Sequence, residues 1–219
     1  MTAVLATLNL GVERRGPWTG TGRSGIDKRP VEHRVTARRE GLEGDLVADR
    51  RVHGGPDKAV YAFAREDAAF WEEELGREIA PGNFGENFST TGLNVTDAEV
   101  GEQWAIGEAV FEVIRARKPC RVFAGFWEVP DLVKRFIAHG APGAYLRVLK
   151  EGTVGAGDPV EIIKRPGHGV TIGYMLRALT TEPHLMPRFL DAPEMLPKHH
   201  EKARKWLAAR EQELERSTP

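Results

Sequence analysis

The sequence predicts a mainly β fold with helices, in the α+β class, that ends in a small group of helices. Short runs rich in Val, Ile and aromatic residues alternate with clusters of Gly, Pro, Asn and Asp up to about residue 163. The 24 Gly and 14 Pro indicate many turns. Beyond about residue 169 the strand pattern stops and helical periodicity replaces it.

Strands and two helical interruptions are predicted before this change. Helical spacing of apolar residues predicts a helix over 65–75 and a helical stretch over 120–139, in which Pro130 starts a second helix. The short strand-forming runs separated by turn residues are typical of a β-barrel or a β-sandwich. The predicted strands are 4–10, 59–63, 103–106, 109–114, 144–149 and 160–163, with a further strand after the loop 81–87.

The C-terminal part of the chain predicts three helices. Thr171 can cap a helix that runs to about Thr180, residues 183–190 form a short helix, and residues 198–214 form a charged final helix. We therefore divide the chain into a domain of residues 1–165 and a three-helix module of residues 169–215. The module either packs against the first domain or docks a redox partner.

Charge and composition limit the expected partners. The net charge of -1 gives no electrostatic argument for a nucleic acid or an anionic membrane. No apolar run approaches the roughly 20 residues that span a bilayer, and the N-terminus lacks the basic region of a secretory signal. The single cysteine cannot form an intrachain disulfide. We expect a soluble, cytoplasmic protein with no nucleic-acid or membrane partner.

Cys120 is the first candidate functional residue. It follows a predicted strand and is flanked by Arg115, Arg117, Lys118 and Arg121. This electropositive setting favours the thiolate, which binds soft metals or attacks electrophiles. The alternative is a small buried side chain that happens to lie near surface arginines.

Two polar turns are further candidates. His53 opens the turn HGGPDK, whose glycines let backbone N–H groups approach an anion while Lys58 supplies charge. The same turn can equally be a hairpin whose His and Asp cap their own backbone. The loop 81–87, which ends at Asn87, either hydrogen-bonds a ligand or satisfies its own backbone.

Taken in order, these segments resemble the MOSC family, named after the C-terminal domain of molybdenum cofactor sulfurases, and within it the YiiM-like branch. The region from about Gly169 to Leu207 is also similar to the three-helix module of that branch. The resemblance rests on KRPV at 28–31, EGDxxAD at 43–49, HGGPDKAVYAF at 53–63, PGNFGEN at 81–87, TTGL at 90–93, VGEQWAIGEAVFEVIRARKPC at 100–120 and GAYLRVLKEGTVGAGDPVEI at 143–162.

The resemblance implies a β-barrel that binds the molybdenum cofactor, in which molybdopterin carries the metal and Cys120 is its thiolate ligand. It implies no pyridoxal phosphate. Cys120 and His53 are the catalytic candidates, although His53 and Asn87 can act by orienting neighbours, as can Asp57. The cofactor-binding residues that the resemblance implies are Lys28, His53, Lys58, Asn87, Arg117 and Cys120.

The resemblance also implies a detoxifying reaction, the reduction of small N-hydroxylated compounds such as N-hydroxylated purine analogues. The chain has one Cys and therefore no cysteine set for an iron–sulfur cluster, so its electrons are expected from a separate flavin-containing reductase. Two alternatives stay open. One is a carrier that holds the cofactor or sulfur without turnover. The other is a hydrolase in which His53 acts as a base for Cys120 and no molybdenum is needed.

Overall fold

The protein is built on two β-sheets in the computed structural model, which describes residues 2–19, 22–49 and 53–217. The strands are β1 (Val4–Arg14), β2 (Ser24–Pro30), β3 (Val35–Arg38), β4 (Gly41–Leu42), β5 (Val60–Ala64), β6 (Phe88–Thr91), β7 (Gln103–Ile106), β8 (Ala109–Ala116), β9 (Ala144–Lys150), β10 (Gly152–Val154) and β11 (Val160–Lys164). The larger sheet has the order β11-β7-β8-β9-β5-β6-β1-β2, and the smaller one β10-β3-β4.

Helices interrupt the strands and then follow them. A left-handed Glu128 (φ 56°) ends the first of the two helices that were predicted within 120–139. The Thr171 side chain accepts the N–H of Tyr174 at 3.1 Å, as the predicted cap. The helices are a 3-10 turn (Pro56–Lys58), α1 (Arg65–Leu75), α2 (Arg121–Trp127), α3 (Leu132–His139), α4 (Ile172–Thr180), a second 3-10 helix (Pro183–Asp191) and α5 (Pro197–Ser217).

The α+β class is confirmed, but the larger sheet does not close into the implied barrel. Near the start of β11 the chain meets β1 through three backbone hydrogen bonds: the Leu5 N–H donates to the Asp158 carbonyl (2.9 Å), the Gly157 N–H to the Leu5 carbonyl (2.8 Å) and the Val160 N–H to the Ala3 carbonyl (2.9 Å). From Asn9 onward β2 pairs with β1. Strand β6 pairs with Val4–Leu8 of β1, so the region of β11 reaches only the first residues of β1 and forms no continuous ladder with it.

Strand β5 separates two hydrophobic clusters. Its alternating side chains point to opposite faces, so that Val60, Ala62 and Ala64 join the main core while Tyr61 and Phe63 join an aromatic cluster. The aromatic cluster also contains residues of the loop 79–84 and of α1, α2 and α3. Helix α2, which follows Cys120 directly, is therefore anchored on the reverse side of the sheet.

The C-terminal helices share the main core with the sheet. Met175 and Leu176 of α4, Phe189 of the second 3-10 helix and Ala203 of α5 belong to the same cluster as the buried sheet residues. The division into residues 1–165 and 169–215 stays a prediction. Within the described residues, no helix combines the length and the apolar character needed to cross a membrane.

Candidate functional site

A cleft with a volume of about 370 Å³ opens beside Cys120, and we call it the Cys120 cleft. Its walls come from β2, the loop 45–49, the turn 53–59, the end of the loop 81–87, and the segment 117–122 before and within α2. The structure brings together in this cleft all the predicted site residues, which are Lys28, His53, Lys58, Asn87, Arg117 and Cys120.

Two glycines allow the walls of the cleft to lie close together. A Cβ atom on Gly25 of β2 would overlap the Leu46 carbonyl. Gly82 adopts a φ of 85°, and a Cβ atom there would overlap the Lys28 carbonyl. The loops 44–49 and 81–87 therefore rest directly on β2, which fixes the position of Lys28.

Asp45 organises one wall of the cleft. Its two carboxylate oxygens accept hydrogen bonds from the Lys28 Nζ at 2.6 and 2.7 Å, and both side chains are buried. The same carboxylate accepts the Gly11 N–H (2.7 Å) and the Asn87 Nδ2 (2.9 Å). The charge of Lys28 is therefore already paired. Asp45 was not among the predicted site residues, although it lies in the EGD motif.

Asn87 ties the wall to two strands. Its Oδ1 accepts the Tyr61 N–H (3.2 Å), and its Nδ2 donates to the Asn9 carbonyl (3.2 Å) as well as to Asp45. Because both ends of the amide already bond to protein groups, the geometry favours the orienting role over direct contact with a ligand.

Glu86 holds the neighbouring loop from inside. Its buried carboxylate accepts the N–H groups of Gly82 (2.6 Å) and Phe84 (3.0 Å) and the hydroxyl of Ser89 (2.8 Å). Burial raises the pKa of this carboxyl group. The carboxylate of Glu86 thus fixes the loop 81–87 from within the loop, and Glu86 was not among the predicted site residues.

Arg117 places a buried positive charge in the cleft. The residue is 6% exposed, and its guanidinium lies over the rings of Phe123 (4.2 Å), Tyr61 (5.4 Å) and Phe136 (5.5 Å). Its Nη1 is buried, and no group among the described residues accepts a hydrogen bond from it. Because aromatic faces do not neutralise a buried cation fully, an anion in the cleft would gain a charge-assisted hydrogen bond here.

The cleft as a whole favours anions. Among the described residues, six cationic and two acidic side chains line it. One of the two acids, Asp45, already pairs with Lys28. The cations are Arg23, Lys28, Lys58, Arg117, Lys118 and Arg121, and the acids are Asp45 and Asp49.

The charges in the cleft act on His53 and Lys58. Loss of solvation, followed by the positive charges of Lys58 and Arg117, lowers the pKa of His53, although its side chain reaches solvent at the cleft mouth. Burial, then Arg115 and Lys198, lowers the pKa of Lys58. His53 is therefore neutral at pH 7 and available to accept a proton.

Cys120 offers the cleft its single sulfur atom. The residue is half-buried and is followed directly by α2. Tyr145, whose pKa is raised by burial, lines the same cleft and keeps its phenol protonated. Within the ranges that the structure describes, no three His, Cys, Asp or Glu side chains come together as a possible metal site.

The fold and this cleft agree with the comparison with known proteins. Residues 49–161 match the MOSC domain, and the chain belongs to the MOSC family. It falls in the YiiM-like branch: it is 34% identical to YiiM of Escherichia coli over 146 residues, 65% of each chain. The crystal structure of YiiM from Geobacillus stearothermophilus has a TM-score of 0.76, with 29% identity, 93% coverage of this chain and 98% of that one.

Two further relatives extend the comparison. The chain is 37% identical over 172 residues to YflK of Bacillus subtilis, described as uncharacterized, and the match covers 78% of each protein. It is 30% identical over 167 residues to a Gibberella moniliformis protein named "Reductase". That match covers 74% of this chain but 30% of the fungal protein.

Proposed function

We propose that the protein binds the molybdenum cofactor in the Cys120 cleft, with Cys120 as the ligand of the metal, and reduces small N-hydroxylated compounds. The observation that carries this proposal is the buried Arg117 guanidinium, whose Nη1 has no hydrogen-bond partner among the described residues and which lines the same cleft as the only cysteine of the sequence. Membership of a family named after molybdenum cofactor sulfurases supports the choice of cofactor. The name of the fungal relative supports a redox role.

The residues of the cleft fit this cofactor. Its phosphate and dithiolene are anionic, so Arg117 and Lys58 would hold the anionic groups, with Lys118 and Arg121 adding positive charge nearby. Thiolates are the protein ligands that soft metals prefer, and Cys120 provides one. When bound, the cofactor supplies the two-electron chemistry of molybdenum.

The chain itself would position the substrate and manage protons. Reduction of an N-hydroxyl group consumes two electrons and two protons, breaks the N–O bond, and releases the amine and water. His53 lies at the mouth of the cleft, where it can take a proton from solvent and pass it to the departing oxygen. The Tyr145 hydroxyl can donate a hydrogen bond to the substrate from the interior.

The electrons would come from a separate protein. The single cysteine cannot hold an iron–sulfur cluster. The sequence GTGRSG at 20–25 fits the spacing of a dinucleotide-binding glycine motif, but it leads into strand β2, whereas that motif opens a helix. A flavin-containing reductase fits this requirement, because flavins accept electron pairs from NADPH or NADH and can pass them on.

An assay of an N-hydroxylated purine tests the proposal. Protein from a host that makes the cofactor is mixed with NADPH alone, with NADPH and a flavin reductase, or with a reduced viologen. Turnover is expected in the second and third mixtures and not in the first. Cys120→Ala should abolish it, while Glu43→Gln, at an exposed residue near the cleft loop, should leave it unchanged.

Two results of this assay would contradict the proposal. Steady turnover with NADPH and no second protein would refute the need for an external donor. Molybdenum-loaded protein that consumes no N-hydroxylated substrate with reduced viologen would refute the reductase activity and favour the carrier alternative.

A further inference from the structure

A second group of cations lies where the last helix meets the sheet. Its members are Lys58 of the first 3-10 turn, Arg115 of β8 and Lys198 near the start of α5. We call them the junction cations. Lys58 also lines the Cys120 cleft, whereas Arg115 and Lys198 are not among its lining residues. Neither Arg115 nor Lys198 is among the cofactor-binding residues proposed above.

The sheet and the 3-10 turn bring Lys58 and Arg115 together. Asp57 accepts two hydrogen bonds from Arg147 of β9, at 2.6 and 3.1 Å, which holds the turn with Lys58 against that strand. Arg115 pairs with Tyr145 across β8 and β9. Residues directly opposite in an antiparallel pair project to the same face, and Tyr145 lines the cleft, so Arg115 extends beside it.

Lys198 and His199 of the last helix, α5, lie close enough to Lys58 and Arg115 for their charges to interact. The positive charge of Arg115 acts on Lys58, Lys198 and His199, and that of Lys198 acts on Lys58 and His199. Asp57 is a carboxylate whose charge acts on both lysines, and it is already paired with Arg147. The junction therefore carries more positive charge than its carboxylates offset.

Two buried nitrogen atoms at the junction have no hydrogen-bond partner in the part of the chain that the structure describes. His199 is 6% exposed, and its Nε2 accepts or donates no hydrogen bond among the described residues. The Nε of Arg115 is also buried without a partner there. A buried N–H group without an acceptor is unfavourable, and the Nε of an arginine always carries a proton. The His199 Nε2 is a second such donor in the tautomer that is protonated there, so an anionic acceptor beside this surplus positive charge would satisfy both atoms.

We propose that Lys58, Arg115, Lys198 and His199 form a binding site for a phosphate-type dianion at the edge of the Cys120 cleft. Its several oxygen atoms match the converging donors, and its charge matches the surplus of lysine and arginine. The helical segment thereby has a binding role, because it supplies Lys198 and His199. The phosphate is either free in solution and on substrates, or the phosphate group of a cofactor in the neighbouring cleft.

Titration of the full-length, cofactor-free protein with inorganic phosphate tests the site. Calorimetry gives the affinity, and the ring signals of His199 in NMR spectra report on the junction itself. Sodium chloride at the same ionic strength separates specific binding from screening. We expect saturable phosphate binding that shifts the His199 signals. The experiment needs neither molybdenum nor turnover, so it can succeed where the proposed reductase activity fails.

Two matched variants of α5 make the test specific. Lys198→Met keeps the aliphatic stem and removes the charge, and it should weaken phosphate binding at least about fivefold. Arg204→Met removes a charge from an exposed position of the same helix and should change the affinity less than about twofold. Equal effects of both variants, or unchanged His199 signals at saturating phosphate, would overturn the proposal.

Cofactor-loaded protein identifies the source of the phosphate. If the cofactor's own phosphate fills the site, the loaded protein should no longer bind inorganic phosphate. If the phosphate comes from solution or from a substrate, the loaded protein should bind it as the cofactor-free protein does. Both results support the site, and the absence of saturable binding in the cofactor-free protein refutes it.

Discussion

Replacement of Asp45 by Asn should destabilise the protein strongly, because it leaves a buried lysine without its counter-charge. The side chains of Lys28 and Asp45 are 8% and 5% exposed, and both carboxylate oxygens contact the Lys28 Nζ. Asn has nearly the same shape as Asp, so the substitution removes charge with little change in packing. The Gly11 and Asn87 donors would lose a charged acceptor as well.

The size of the effect follows from the burial of the pair. Removing one partner of a buried ion pair costs about 3–5 kcal/mol. For a chain of this length, each kcal/mol lowers Tm by about 2–4 °C, so the loss in Tm is roughly 6–20 °C. Glu43→Gln is the matched control, since it removes an acid from the same loop. Glu43 is 51% exposed in its pair with Arg38, and the control should cost less than about 1 kcal/mol.

Thermal unfolding followed by circular dichroism measures both variants. The double variant Lys28→Met/Asp45→Asn should recover part of the stability, because it removes the unpaired lysine charge. Equal Tm values for Asp45→Asn and Glu43→Gln would refute the account of this wall, and so would a double variant that is less stable than Asp45→Asn alone.

Three further predictions follow from the buried charges and the shared core. Arg117→Met should leave the Tm of cofactor-free protein unchanged or raise it, because it removes a buried charge whose Nη1 has no partner among the described residues, and it should lower cofactor retention. A Tm loss as large as that of Asp45→Asn would mean that the guanidinium is paired in the folded protein. Truncation after Arg165 should abolish cooperative unfolding, because it removes main-core residues such as Met175 and Phe189. A truncated chain that melts near the wild-type Tm would instead support two separate domains. Burial, then Arg115 and other nearby cations, lowers the pKa of His199 from 6.5 to about 4, so its stabilising effect is complete above pH 6.5 and is lost as the pH falls to about 4. Relative to His199→Gln, the wild type should lose on the order of 3 kcal/mol over that range, and parallel pH profiles of the two proteins would contradict this.

Local patterns predicted the elements whose stabilising groups are close in sequence. The helix Arg65–Leu75 and the strand Gln103–Ile106 have the predicted bounds, and Thr171 caps α4 as expected. Strand β2 was not predicted, because the charged residues Asp27, Lys28 and Arg29 have a low strand propensity. Its extended conformation is instead determined by pairing with β1. Closure of the sheet could not be predicted either, because it depends on which distant strand takes each edge of β1.

For the candidate site, too, the sequence motifs predicted which residues take part but not how they pair in space. The motif resemblance selected residues that the fold does bring into one cleft. The resemblance did not reveal that Asp45 neutralises Lys28 or that Asn87 donates a hydrogen bond to Asp45. Asn87 and Asp45 are 42 positions apart in the sequence, and such partners meet only after folding. The unpartnered Nη1 of Arg117 is equally invisible in sequence, since a list of residues does not reveal which donors lack acceptors.

The sulfur coordination of molybdenum tests the central claim most directly. Wild-type and Cys120→Ala protein are purified from a host that makes the cofactor, and X-ray absorption at the molybdenum edge counts the sulfur neighbours of the metal. Because a protein thiolate binds a soft metal directly, any molybdenum retained by Cys120→Ala should have one sulfur neighbour fewer than in the wild type, with the overall fold unchanged by circular dichroism. Identical sulfur coordination and equal molybdenum content in the two proteins would show that Cys120 is not the ligand.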